Sequence, residues 1–267
     1  MKKRFRIAGL VSIMLVFAIM SLGSGSSTPS STETVKMDNT SSETNIAVEN
    51  NVSETESSSS DEVLYEITDT NFEYYTNSIG SIEYYGYVEI TNTGSNNLYL
   101  DKAIFDLEDN DGHLLQSDDF ISSAPSVIKP GEKGYFYNGI GSNLIDEAVS
   151  MDNGINLVPQ ITIKKATGEP ARFEVTDTDM RADDYGSTKV TGRVVNDTDK
   201  DVGYLYVNVI FYDANGKVIA ITGTSVTDLN AGQKVSFECS AMFTNDAVTM
   251  ENVANYEVIA EDTYMQF

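Results

Sequence analysis

The sequence predicts an all-β protein in which two β-sandwiches follow one another behind an unstructured N-terminal tether. Three observations predict it. Apolar and polar residues alternate with period two over long runs rich in Val, Ile, Tyr and Phe, the strand signal. Gly-bearing turn signals recur between those runs, and no convincing amphipathic helix breaks them. A long string of residues also reads twice, roughly 100 residues apart, the size of an independent domain.

The 267-residue chain opens with Lys2, Lys3, Arg4 and Arg6, followed by an apolar run from Ile7 to Leu22 and the small residues "SLGSGSS". A basic start, an apolar centre and a small-residue exit make an export signal. The run is shorter than the ~20 residues of a membrane-spanning helix. Residues 1–23 are therefore read as an export signal or an N-terminal membrane anchor. The stretch Gly23-Ser24-Gly25-Ser26-Ser27 resembles the exit of a bacterial lipoprotein signal in which Ser24 replaces the lipidated cysteine. Without that thiol no thioether lipid forms, and cleavage after Gly23 is the simpler outcome. Both fates predict an extracellular or cell-surface location in a bacterium, with membrane contact only through this segment if it is retained.

Residues 24–62 are Ser-, Thr-, Glu- and Asn-rich without an aromatic side chain. Such a segment buries too little apolar surface to offset backbone entropy and is expected to be a disordered tether.

From Val63 onward the repeat becomes readable. "YEITDT" at Tyr65–Thr70 returns as "FEVTDT" at Phe173–Thr178. "NTGSNNLYLDKAIFDLEDNDGHLL" aligns without gaps on "NDTDKDVGYLYVNVIFYDANGKVI", pairing Asn92 with Asn196, Phe105 with Val209, Leu107 with Phe211, Asp109 with Asp213 and Gly112 with Gly216. "IKPGEKGYF" aligns with "LNAGQKVSF", placing Gly131 on Gly232 and Phe136 on Phe237. The offsets drift by a few residues, as loop-length changes between duplicated domains would produce. Ile82, Tyr84, Gly86, Val88 and Ile90 alternate with Glu83, Tyr85, Tyr87, Glu89 and Thr91; Leu205, Val207, Val209 and Phe211 alternate with Tyr204, Tyr206, Asn208, Ile210 and Tyr212. Short strands with regular turns and no helices read as two tandem immunoglobulin-like antiparallel β-sandwich domains, residues 63–166 and 167–267.

The run from Val190 to Cys239 resembles a bacterial FxLYD domain, a family named for its strand-end motif. The matching positions read Val209-x-Phe211-Tyr212-Asp213, and the first copy carries Phe105-x-Leu107-Glu108-Asp109, so both copies diverge from the motif. The resemblance implies an exported, often envelope-anchored β-sandwich protein and carries no catalytic residue. The motif itself reads as structure: two core side chains on one face, then an Asp that starts a hairpin turn.

The formal net charge is −24, and removing the signal leaves 13 Lys+Arg against 41 Asp+Glu, or −28. Such a chain repels phosphate backbones, so no nucleic-acid partner is expected. Solubility explains the charge, with affinity for cations or a basic partner as the pointed alternative. Cys239 is the single cysteine, which excludes an intrachain disulfide. It shares a strand face with Phe237 and reads as a small buried hydrophobe rather than a nucleophile.

Three sets of residues are candidate sites. Asp197, Asp199 and Asp201 have a D-x-D-x-D spacing that could present oxygens to calcium, the one cofactor considered. However, Val202 stands where an EF-hand loop needs Gly and Asn208 where it needs Glu. A solvated turn explains them as well, since the first copy has Thr93, Ser95 and Asn97 there. Tyr204, Tyr206 and Tyr212, with Tyr85 and Tyr87 (and Tyr135 and Tyr137), lie opposite the core-facing set. They form an aromatic face suited to a protein or cell-wall glycan. Cross-strand tyrosine pairs, or packing of the two faces against each other, would also explain them. Asp177, Asp179, Asp183 and Asp184 are the densest carboxylate cluster, but lie in a polar turn region without the apolar wall that general-acid work needs. Asp69 and Asp177 recur at equivalent positions and read as turn or strand-end hydrogen bonds, and His113 as a surface residue. The expected function is a non-enzymatic, envelope-associated interaction module. The rivals are a structural spacer, or an accessory domain of an envelope enzyme with an acidic pocket near Lys165–Arg172.

Overall fold

The computed structural model describes residues 62–76, 80–138, 144–146, 149–182, 188–241 and 248–262. The export-signal and tether readings, and Asp183 and Asp184, lie outside these residues. Ser60–Phe267 forms one compact unit. Its described residues contain strands and turns and no helix.

The N-terminal sandwich contains β1 (Tyr65–Thr76), β2 (Ile82–Asn92), β3 (Leu98–Glu108), β4 (Leu114–Asp118), β5 (Ile121–Ala124), β6 (Val127–Ile128), β7 (Lys133–Asn138), β8 (Leu144–Ile145) and β9 (Asn156–Lys165). One sheet has the order β1-β2-β7-β5 with β8 on β2; the other centres on β3, with β9 on one edge and β4 and β6 on the opposite edge. All pairings are antiparallel. Tyr84, Val88, Ile90, Leu98, Leu100, Phe105, Leu107 and Phe136 fill the space between the sheets.

The C-terminal sandwich contains β10 (Arg172–Ala182), β11 (Thr188–Val195), β12 (Val202–Tyr212), β13 (Val218–Leu229), β14 (Lys234–Ser240) and β15 (Asn255–Glu261). They are ordered β13-β12-β15-β10-β11-β14. β10 joins the two layers: Arg172 and Phe173 pair with β15, and from Glu174 the strand pairs with β11. Val190, Val194, Leu205, Val207, Val209, Phe211, Phe237 and Cys239 form the core. β13 runs unbroken along β12, whereas the corresponding edge of β3 is divided between β4 and β6, with β5 crossing to pair with β7.

Two side-chain devices occur in both sandwiches. Buried Asn92 donates from Nδ2 to the carbonyls of Asn96 (2.8 Å) and Ile128 (3.1 Å), and its Oδ1 accepts the Gly94 N–H. Buried Asn196 donates to the carbonyls of Lys200 (2.8 Å) and Leu229 (3.0 Å), and its Oδ1 accepts the Thr198 N–H. Each Asn pins two chain segments that no ladder joins, satisfying carbonyls that would otherwise be buried unpaired. The turn aspartates match likewise. Asp109 Oδ1 accepts the N–H groups of Asp111 and His113, and Asp213 Oδ1 those of Asn215 and Lys217. Gly112 and Gly216 complete these turns at φ of 80° and 78°, a conformation that disfavours any Cβ.

Candidate binding surfaces

β2 is buried on both faces. Its even-numbered residues enter the N-terminal core, and Tyr85 and Tyr87, 2% and 0% exposed, belong with Tyr135 and Tyr137 to the hydrophobic cluster of the C-terminal sandwich. The aromatic face expected to be open to a partner is therefore covered on the N-terminal side by the second sandwich of the same chain. The cause is the outward face of β12: Asn208 and Ile210 are buried against these rings and Tyr212 is half-buried.

The hydroxyls decide the geometry of this seam. β13 is the outer strand of its sheet. Tyr85 Oη accepts the N–H of Ile221, and Tyr87 Oη lies 3.1 Å from the Val218 carbonyl and 2.7 Å from Asp69 Oδ2. Two tyrosines of one sandwich thus serve backbone groups of an edge strand of the other, groups that would otherwise be open to strand pairing. Tyr137 donates to Asn208 Oδ1 at 2.9 Å. Gly223 makes this approach possible: a Cβ there would lie 2.9 Å from Asn208 Oδ1 and 3.2 Å from Tyr137 Oη. Burial pushes the phenols of Tyr85, Tyr87 and Tyr137 well above their usual range, so they remain neutral hydrogen-bonding groups.

Polar contacts close the rest of the seam. Glu261, 0% exposed, accepts from the backbone N–H (2.8 Å) and hydroxyl (3.1 Å) of Ser126. Arg172 forks onto Glu132 at 2.8 and 3.2 Å and reaches the Val127 carbonyl at 2.9 Å. The junction near Lys165–Arg172, proposed for an acidic pocket, is thus held by an arginine–glutamate pair. Among the candidate tyrosines, Tyr206 is the most exposed at 42%. It packs edge-on against Tyr204, ring centroids 5.1 Å apart.

The carboxylate candidates fall apart spatially. Asp197, Asp199 and Asp201 are exposed, and Asp201 spends one oxygen on the N–H of Ala231 at 2.9 Å. Among the described residues, the ligand atoms gathered within 4.8 Å of one another are those of Asp109, Asp111 and His113, not this trio. His113 Nδ1 lies 3.0 Å from Asp109 Oδ2, and Asn153 bridges Asp109 and Asp111. The backbone N–H and side chain of His113 hold Asp109 well below the usual carboxylate range. Asp177 and Asp179 are exposed on β10, and Asp177 faces Arg193 at 3.6 Å. Cys239 is buried, and burial pushes its thiol up to about 12.

Asn208, Gly223 and Glu261 are the seam residues that sequence reasoning missed. The available signals were a polar residue and a glycine inside strand patterns, since strand glycine marks close backbone approach. Compared with models of known protein families and with curated proteins, the chain matches none.

Proposed function

We propose that this is an exported bacterial cell-surface module that binds a protein or cell-wall component without catalysing a reaction. In this reading it is built from two copies of one FxLYD-like sandwich unit. The recurrence of the Asn92 and Asn196 networks, and of the Asp109 and Asp213 turns, supports duplication. The observation that carries the functional reading is the seam. It joins the two sandwiches through buried tyrosines and leaves on the same face an aromatic pair made of the exposed Tyr206 and the half-buried Tyr204. Such a pair offers flat apolar area with polar tips at low entropic cost. The buried, proton-holding Cys239 supports a non-catalytic role. Co-sedimentation with purified cell-wall fractions tests this: the full chain should bind saturably, and Tyr204→Ala/Tyr206→Ala should weaken binding at least tenfold. Equal binding by both proteins would remove this face from the reading.

The same seam favours a second reading, a stiff spacer, because contacts of this kind remove the hinge between sandwiches. A spacer has no saturable partner.

A further inference from the structure

The face that the N-terminal sandwich turns into the seam is open in the C-terminal one. On β2 and β7 that face carries Tyr85, Tyr87, Glu89, Tyr135 and Tyr137. On β11 and β14 it carries Lys189, Thr191, Arg193, Ser236 and Glu238, and β10 adds Asp177 and Arg181. All of these except Lys189 line a shallow groove of about 430 Å³, which also reaches Gly192 and Phe237. The volume lies within the ~300–1,000 Å³ range of small-ligand sites.

Three features converge here beyond the depression itself. The first is arginine placement. The chain has five arginines: Arg4, Arg6, Arg172, Arg181 and Arg193. Arg172 belongs to the seam, and the other two of the folded unit both line this groove. Arg193 has Asp177 at 3.6 Å, a distance that leaves its fork unfilled, and among the described residues Arg181 makes no ion pair. The second is Asp177, a non-glycine residue at φ 54° within a register shift of β10. Asp69 sits at the corresponding shift of β1 without a positive φ, so the fold does not require the strained conformation. Strain of this kind gathers at binding sites. The third lies beside the groove rather than in its lining: Thr176 is opposite Arg193 in register and so on the same face. Its Oγ1 is the one buried side-chain polar atom among the described residues without a hydrogen-bond partner. Such a group is costly to leave unmade and calls for an explanation.

We propose that this groove binds the carboxylate-bearing end of a short peptide. A planar guanidinium fork matches a carboxylate in two parallel hydrogen bonds, and Arg181 and Arg193 flank the groove with the Thr191 and Ser236 hydroxyls as further donors. Asp177 and Glu238, the latter also ion-paired with Lys189 at 3.0 Å, accept from the N–H groups of the same peptide. They also make a dianionic phosphate the poorer occupant, since two carboxylates repel it inside a chain of net charge −24. This site is distinct from the Tyr204–Tyr206 pair and does not depend on it.

The test is an NMR or calorimetric titration of the full chain with alanyl-glutamate, its fully amidated analogue and inorganic phosphate. The dipeptide should bind saturably. The amidated analogue, phosphate, and the Arg181→Gln/Arg193→Gln protein should each bind at least tenfold more weakly. The exposed arginines should leave the melting temperature unchanged, and Tyr204→Ala/Tyr206→Ala should leave the titration unchanged. No dipeptide binding, an undiminished response in the double arginine variant, or phosphate binding equal to the dipeptide would overturn the assignment.

Discussion

The Tyr137 hydroxyl of the N-terminal sandwich donates to Asn208 Oδ1 of the C-terminal sandwich at 2.9 Å, with both side chains buried. Removing the donor leaves a buried acceptor unpaired, which costs about 1–3 kcal/mol. Tyr137→Phe should therefore lower the melting temperature by several degrees, at about 2–4 °C per kcal/mol for a body of this size. A double-mutant cycle with Asn208→Ala should give a coupling of about 0.5–3 kcal/mol. Additive effects would mean that the pair does not act as a unit.

Gly223 predicts a contrast between two glycines. At Gly223 a Cβ would press on Asn208 Oδ1 at 2.9 Å, whereas at Gly203 nothing lies within 4 Å. Gly223→Ala should destabilise by about 1–3 kcal/mol through overpacking of the seam. Gly203→Ala should be neutral or stabilising by about 0.4–1 kcal/mol through the unfolded chain. Urea midpoints of the two variants check this, and a reversed order would contradict the close approach.

Glu261 predicts a pH dependence. Burial raises its carboxyl above the ordinary value of 4.5, opposed by the two Ser126 donors and by Arg172. A folded-state value above the unfolded one means that its contribution is full below about 4.5 and is lost as pH rises through the raised value. Glu261→Gln keeps an acceptor for Ser126 and never ionises. Its stability relative to the unaltered protein should therefore grow from pH 4 upward, as read from urea unfolding at each pH. A difference that stays constant, or falls with pH, would show that the carboxyl does not titrate in this buried setting.

Cys239 should be inert in the folded protein. Its thiol is buried and held up to about 12, so almost no thiolate is present at pH 8. Maleimide labelling should be slow in buffer and rapid in concentrated urea. Fast labelling in buffer would place the thiol at the surface.

Much of the fold was legible in the sequence because its signals are local. Alternation along β2 and β12 showed which side chains share a face, and Asp109-x-x-Gly112 and Asp213-x-x-Gly216 marked turns by the conformation only glycine adopts easily. The split of the β3 edge into β4 and β6, with β5 crossing to β7, was not legible, because short strands in "SDDFISSAPSVI" have too few residues for a period to show. The destination of the tyrosine rows was not legible either. Period-two patterning separates two faces of a strand but does not state what covers them, and that is set by contacts more than 100 residues apart in sequence, such as Tyr87 with Val218. The groove on β10, β11 and β14 escaped for the same reason: Arg181 and Arg193 become neighbours only through strand register. Asp197, Asp199 and Asp201 had a ligand-like spacing, but an exposed turn spreads successive carboxylates outward rather than round a common point.

The two sandwiches form one body through tyrosines that serve the edge of β13, and amide hydrogen exchange at Ile221 tests this most directly. The Ile221 N–H donates to Tyr85 Oη. In the unaltered protein it should exchange as slowly as the core amides of β12, and Tyr85→Phe should accelerate it at least tenfold while amides of the N-terminal core stay protected. Rapid exchange at Ile221 in the unaltered protein, or protection untouched by Tyr85→Phe, would contradict the seam.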